Sequence, residues 1–133
     1  MSLRHAVIEH LRLNVPALGG RVFQAFLAPP NVQSPYATVK LGSIRGNIEL
    51  PYAGDQQIEV RVYRTRDDFA VLDSVRQSVI TALNGTTILG NSSPERYRLK
   101  WVPTGPLDFV DEERRLIGCL VMFETSVIYE RSG

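Results

Sequence analysis

The chain has 133 residues, of which 44% are hydrophobic and 22% are charged, and its formal net charge is +1. Because it is too short for two ordinary domains, we predict a single globular domain over residues 1–133. Because basic and acidic residues are nearly equal in number, the chain lacks the broad excess of basic residues that is typical of a nucleic-acid-binding protein. No segment approaches the roughly 18 consecutive apolar residues of a membrane span, and the charges spread through the N-terminal residues exclude a secretory signal.

The N-terminal part of the chain predicts one helix and two strands. Apolar residues recur with helical spacing up to about Leu13, after which residues 14–16, Asn-Val-Pro, end the helix. The mostly apolar run from Val22 to Leu27 has the length of a strand. After a proline-rich segment, the alternation of apolar and polar residues from Tyr36 to Leu41 predicts a second strand.

A long segment of mixed composition separates the second predicted strand from the third. It contains Gly46, Pro51 and Gly54, which interrupt the strand pattern. We predict a long hairpin arm over about residues 44–57, and this arm includes Tyr52. The arm is either a binding element or a merely flexible loop, and the sequence leaves both alternatives open.

The rest of the chain is organised around the stretch from Ile58 to Asn84, whose periodicity changes from two to about 3.6 residues. Its first part alternates apolar with charged or aromatic residues and predicts a half-buried strand, with Arg61 and Tyr63 facing outward. Its second part repeats apolar residues every three or four positions from Phe69 to Leu83, which is the pattern of an amphipathic helix.

Both ends of this predicted helix carry residues that suit them. Thr65 or Asp67 can accept hydrogen bonds from the free N–H groups of the first turn. Asn84 followed by Gly85 predicts a left-handed stop after the last turn. We therefore expect the strand to lead directly into the helix.

After a polar connector over residues 86–94, the C-terminal part predicts two more strands. Residues 97–102 alternate with one face inward, and residues 103–113 form a predicted loop. The last strand, from Leu116 to about Tyr129, has a continuous inward face at its odd positions. Leu120 and Met122 make its other face apolar as well, and helices on one side of the sheet only would leave them bare. We infer contact with another subunit there; the alternative is one helix on each face of the sheet.

The order of the predicted elements defines the fold class. It is α-β-β-β-α-β-β, with two main helices and about five strands. This order is typical of an α+β domain built around a mostly antiparallel mixed sheet.

Motifs that would indicate an enzyme or a cofactor are missing from the sequence. It contains no glycine-rich phosphate loop, HExxH or CxxC pair, or nucleophile elbow. His5 and His10 point in different directions from the first helix and cannot share a metal. The carboxylates within residues 108–113 lie beside two arginines, which predicts a solvated, internally paired turn. The single cysteine, Cys119, predicts a buried thiol, so we predict no catalytic residue, no cofactor and no metal.

Several motifs follow one another along nearly the whole chain. They are the HAVIEHLRLN helix, the strand that begins at Pro35-Tyr36, the strand-to-helix unit QQIEVRVYRTRDDFAVLDSVRQSVITALNG, the PLDFVDEE loop and the closing strand GCLVMFETSVIYE. In this order and spacing they resemble the tail terminator or tail-completion proteins of long-tailed (siphovirus or myovirus-like) bacteriophages and prophages.

The resemblance implies a structural virion protein that forms a ring, typically a hexamer, at the head-proximal end of the phage tail. Such a ring stops polymerisation of the tail tube protein and joins the tail to the head connector or stopper protein. DNA passes transiently through its bore. The protein would be made in the host cytoplasm and then become part of the virion, with no enzymatic activity, no cofactor and no membrane.

A closed ring needs two different patches on each subunit that meet head to tail. We hypothesise that Leu120 and Met122 on the last strand, and Arg61 and Tyr63 on the third, belong to such patches. The arm that carries Tyr52 would reach a neighbouring subunit or the tail tube.

Three alternatives compete with this interpretation. Another phage head–tail connector, such as a head-completion or stopper protein, would share the ring but face the portal. A small ligand- or RNA-binding α+β domain could use Tyr36, Tyr63 and Trp101 as stacking residues, although the predicted strands place these rings on different faces. A small enzyme using the carboxylates within residues 108–113 lacks a partnering base or nucleophile.

Overall fold

The described part of the chain, residues 3–46, 53–89 and 96–128 of the computed structural model, contains two α-helices and seven β-strands. The helices are α1 (Leu3–Asn14) and α2 (Phe69–Leu83), and a short 3-10 helix (Pro16–Leu18) follows α1. The strands are β1 (Val22–Gln24), β2 (Tyr36–Gly46), β3 (Ala53–Thr65), β4 (Thr87–Leu89), β5 (Arg96–Arg98), β6 (Lys100–Asp111) and β7 (Leu116–Ile128). The predicted α+β class is confirmed. Neither described helix has the length and apolar character needed to span a membrane.

β3 is the middle strand of a five-stranded sheet with the order β1-β2-β3-β7-β6. It pairs antiparallel with β2 on one side and, along its whole length, with β7 on the other, from Ala53 opposite Ile128 to Thr65 opposite Leu116. Among the described strands of this sheet, β1 alone runs parallel to its neighbour, so the sheet is mixed but mostly antiparallel, as predicted. β4 and β5 form a separate two-stranded sheet.

Asp68 joins the end of β3 to the start of α2. Its Oδ1 accepts a hydrogen bond from the backbone N–H of Val71 at 3.4 Å and caps the helix, while its Oδ2 accepts one from Arg64 Nε at 2.8 Å. The predicted caps, Thr65 and Asp67, are therefore wrong. Thr65 is the last residue of β3, and Asp67 turns the chain with a left-handed backbone at φ 71°.

Both helices lie on the same face of the five-stranded sheet. α1 packs against β1 and β2, and α2 packs against β3 and β7. Their apolar sides share one core with the inward positions of the strands, in which Leu11, Val60 and Phe123 are completely buried. His10 is part-buried, and its Nε2 donates a hydrogen bond to the carbonyl of Ala82 on α2 at 3.0 Å. The alternative with one helix on each face is wrong.

Much of the predicted hairpin arm is sheet. β2 and β3 continue into it and pair Ile44 with Gln56 and Gly46 with Gly54, after an irregularity between Leu41 and Ile44. Gln56 stabilises this irregularity because its side-chain amide donates to the carbonyl of Gly42 at 2.8 Å. Backbone pairing across the ladder thus overrides the local effect of the glycines. Residues 47–52, which include Tyr52, lie outside the described residues.

Two further predictions of irregular structure are corrected by strand pairing. The predicted loop at 103–113 is mostly strand β6, which accommodates Pro103 and Pro106 because it is the edge strand of the sheet and shifts register between Val102 and Leu107. Residues 87–89, expected in a connector, form β4. Conversely, the strand predicted to end at Leu27 ends at Gln24.

The buried and exposed leucines of α1 provide a matched test of the core. We expect Leu11→Ala to lower the free energy of unfolding by about 2–5 kcal/mol, because it leaves a cavity. Leu13→Ala is the control, since Leu13 is 80% exposed and the same change should cost less than about 0.5 kcal/mol. Urea unfolding followed by circular dichroism measures both, and equal losses would contradict this packing.

Candidate partner interface

The side of the five-stranded sheet opposite the helices carries the candidate interface, and we call it the open face. No described helix covers it, because α1 and α2 both pack on the other side. Its residues occupy the outward positions of the strands: Phe23, Tyr36, Thr38, Lys40, Glu59, Arg61, Tyr63, Phe109, Leu120 and Met122. The face therefore combines rings, aliphatic side chains and charges.

Four aromatic rings cross the open face in one row. Tyr36 and Tyr63 are stacked with their centroids 4.7 Å apart, and Phe23 and Phe109 meet the two ends of this pair edge-on at 6.3 and 5.5 Å. The row bridges β7 because Gly118 has no side chain, and a Cβ there would collide with the ring of Phe109. Each ring contact contributes about 0.5–1.5 kcal/mol beyond area burial, so the row stiffens this end of the sheet.

The turn between β6 and β7 is fixed to the aromatic row. Arg114 Nη1 donates a hydrogen bond to the Tyr36 hydroxyl at 3.3 Å, and Asp111 Oδ1 accepts one from the backbone N–H of Arg114 at 3.1 Å. Burial raises the pKa of Tyr36 above its usual 10.0, although the hydrogen bond from Arg114 acts in the opposite direction. The phenol is therefore neutral at physiological pH and serves as a hydrogen-bonded anchor for the turn.

A second part of the open face contains the residues predicted from sequence. Arg61 lies opposite Leu120, and Glu59 lies opposite Met122, on the adjacent strands β3 and β7. Arg61 and Glu59 also form an ion pair, with Nη1 3.7 Å from Oε2. The structure thus brings Arg61, Tyr63, Leu120 and Met122 together on one continuous surface, whereas the sequence had suggested two strips. Only Tyr52 of the predicted set falls outside the described residues.

A cleft of about 340 Å³ opens between this surface and the chain that leads away from β1. The residues that line it are Ala25, Phe26, Ala28, Tyr36, Thr38, Lys40, Arg61, Tyr63, Asp111, Glu113 and Arg114. Phe26 is 88% exposed and has a left-handed backbone at φ 70°, and Lys40 Nζ lies 5.8 Å from the centroid of its ring. Sequence reasoning missed Phe26, because an apolar run looks the same whether it continues a strand or turns away from it.

The other residues that the sequence analysis considered for metal binding or stacking make structural contacts. Glu112 pairs at 3.3 Å with Arg66, which lies outside this turn, whereas a pair within the turn was expected. Within residues 3–46, 53–89 and 96–128, no cluster of three or more His, Cys, Asp or Glu residues could hold a metal. Trp101 packs against the helix-side core, with the guanidinium of Arg76 6.0 Å from its ring, whereas Tyr36 and Tyr63 stack on each other across the sheet. The three rings proposed as a stacking platform are therefore not assembled.

Comparison with known proteins identifies a shared fold. No protein-family model matches the chain, and no curated protein matches it. Among solved structures, it is similar to a chain in the structure described as the virion of a native gene transfer agent (GTA) particle. The TM-score is 0.70 with 21% sequence identity, and the match covers 96% of this chain and 95% of the other. The two chains therefore have the same fold over nearly their whole lengths.

Gly118 and Phe109 provide a test of the aromatic row. We expect Gly118→Ala to push the Phe109 ring off Tyr63 and to lower the free energy of unfolding by about 1–3 kcal/mol. Once Phe109→Ala has removed the ring, the same Gly118→Ala change should cost less than about 0.5 kcal/mol. A double-mutant cycle in urea measures this difference, and additive costs would show that the ring does not occupy the space above Gly118.

Cys119 provides a test of burial on the side of the sheet that the helices cover. Burial raises the pKa of its thiol from 9.0 to about 12, so we expect a thiol reagent at pH 8 to label the folded protein far more slowly than the protein unfolded in urea. Because the folded state holds the proton more tightly, this thiol stabilises the fold fully below about pH 9, and that contribution falls as pH rises towards about 12. The Cys119→Ala variant should therefore lose less of its free energy of unfolding than the wild-type protein as the pH rises from about 9 to about 12. Fast labelling of the folded protein would contradict the burial.

Proposed function

We propose that the protein is a structural virion component that forms a ring on the head-proximal end of a phage-like tail. The observation that carries this proposal is the shared fold, at a TM-score of 0.70 over 96% of the chain, with a component of a gene transfer agent virion. In this role the ring ends the growth of the tail tube and presents a joining surface to the head connector. The resemblance of the ordered sequence motifs to tail terminator proteins supports the same role.

The open face supports assembly with other copies of the chain. Stable interfaces have an apolar centre with charged and polar groups around it. Leu120 and Met122 are partly exposed at the middle of the open face, and the ion pair of Arg61 with Glu59 lies beside them. This arrangement is typical of a surface that water covers in the free subunit and a neighbour covers in a ring.

The proposal places the protein in the host cytoplasm during assembly and in the tail afterwards, as a hexamer in contact with the tail tube protein and the connector. DNA would cross its bore without lasting contact, in keeping with a net charge of +1. The role is architectural and requires no catalytic residue or cofactor.

Assembly onto tail tubes tests this function. Light scattering after gel filtration, and electron microscopy with uncapped tubes, should show a closed ring of about six chains, either alone or on the tube end. Leu120→Arg should prevent ring closure, because it places a charge in the apolar centre of the interface. Leu13→Arg is the matched control, since Leu13 is 80% exposed on α1, and should leave the ring intact.

Two other outcomes would contradict the proposed function in different ways. A monomer or dimer that ignores the tube ends would overturn the proposed function. A ring that binds the portal side of a head and not the tube would identify a stopper or head-completion protein instead.

A further inference from the structure

The cleft on the open face has the chemistry to bind a segment that carries an aromatic ring and carboxylates. Phe26 and Tyr63 contribute rings, and Lys40, Arg61 and Arg114 contribute cations. Of the two acidic lining residues, Asp111 is already engaged with the backbone of Arg114. The guanidinium of Arg61 has five N–H donors, so its ion pair with Glu59 leaves donors for a second carboxylate.

Within residues 3–46, 53–89 and 96–128, the surface of the same chain offers one segment with that chemistry. The large hydrophobic residues exposed in the described part of the chain are Leu13, Phe26, Leu27, Phe69 and Val110. Phe26 lines the cleft, Leu27 follows it, and Val110 precedes the cleft residue Asp111, so these three lie at or beside the cleft. Leu13 follows Arg12, which would repel the cations of the cleft.

Phe69 is the remaining exposed hydrophobic, and it is surrounded by carboxylates. It is the first residue of α2, is 47% exposed, and lies one helical turn before the exposed Asp73 on the same side of the helix. The exposed Asp67 stands two residues before it. We call Asp67, Phe69 and Asp73 the α2 knob. Its ring and two carboxylates complement the rings and cations of the cleft.

The knob and the cleft of one subunit belong to different sides of the sheet. The knob belongs to the helix layer, because α2 packs on the core side of β3 and β7, whereas the cleft lies on the open face. On this placement, the knob that fits the cleft is that of a second chain. Two different patches that meet between copies form a heterologous interface, which closes into a ring when the rotation between subunits is suitable.

We propose that the α2 knob of one subunit docks into the open-face cleft of the next subunit. This inference rests on the proposed ring and names the contact that builds it. The aromatic ring of Phe69 packs between Phe26 and Tyr63, and the knob carboxylates face Lys40, Arg61 and Arg114. Leu120 and Met122 lie beside the cleft and extend the same interface.

Two variants that leave the core untouched test the docking. Phe26→Asp removes one wall of the cleft, places a negative charge opposite the knob, and suits the left-handed backbone at this position. Asp73→Lys reverses a charge on the knob at an exposed helical position. Each variant alone should lose the ring. Mixed in equal amounts, they should associate, because the intact knob of the Phe26→Asp variant meets the intact cleft of the Asp73→Lys variant.

The controls are matched to each change. Leu13→Asp places the same charge on α1, outside the cleft lining, at a position 80% exposed, and Thr81→Lys places a lysine two turns further along α2. Both controls should form rings. Circular dichroism and thermal unfolding of all four variants should match the wild-type protein.

Disulfide trapping provides a second measurement within the assembled ring. Ala28 lines the cleft and Ala70 follows Phe69, so the double variant Ala28→Cys/Ala70→Cys should give a covalent ladder up to the ring size under mild oxidation. Each single variant should give no ladder, since Cys119 is buried and should not form a disulfide between subunits.

The outcomes separate this inference from the function on which it rests. A wild-type protein that forms no ring, alone or on tubes, would overturn the proposed function. A wild-type ring that Phe26→Asp and Asp73→Lys leave intact, with no ladder, would overturn the docking alone. Loss of binding to a single-stranded DNA probe on Phe26→Asp, with the ring preserved, would assign the cleft to nucleic acid and also overturn the docking.

Discussion

The pairing of β3 along both of its edges is the constraint on which the rest of the structure depends. From Ile58 to Tyr63 the side chains of this strand alternate between the core and the open face, so Val60 is completely buried while its neighbour Arg61 remains partly exposed. A shift of register by one residue would place charges in the core and aliphatic side chains in water. The ladders to β2 and β7 prevent that shift and keep the two faces chemically distinct.

The open face has to be stable with and without a neighbour. Its most apolar part is protected within the subunit, because Tyr36 and Tyr63 cover each other and Gly118 admits the Phe109 ring close to the backbone. Its polar groups have partners as well, since Arg114 binds the Tyr36 hydroxyl and Arg61 pairs with Glu59. The remaining aliphatic side chains, Leu120 and Met122, are partly exposed and would form the apolar centre of the proposed interface.

The two-layer architecture also suits a ring. A sheet with helices on one side has unlike surfaces on its two sides, and unlike surfaces that fit each other favour head-to-tail contact over a symmetric dimer. The cleft beside Phe26 lies on the open face, whereas the α2 knob belongs to the helix layer. The proposed ring and its proposed docking contact would therefore use one property of the fold, the separation of a cationic aromatic surface from an acidic aromatic one.

The sequence by itself determined the elements whose side chains have a strict period. Alternation marked the inward and outward positions of β3 and β7, including Arg61, Tyr63, Leu120 and Met122, and the repeat from Phe69 to Leu83 marked α2, because a half-buried strand or helix requires that spacing. Gly85 similarly supplied the expected left-handed stop, with φ 73°. These features depend on residues close together in the chain.

Only the tertiary structure decided the features that depend on distant residues. Local sequence rules predict a loop at Pro103 and Pro106. The two prolines nevertheless belong to a strand, because β6 lies at the edge of the sheet beside β7. Phe26 and Arg114 are far apart in the chain and came together in one cleft through the order of the strands. Which face the helices cover, and hence which face stays open, follows from how α1 and α2 pack on the same core, since local periodicity carries no information about which elements meet.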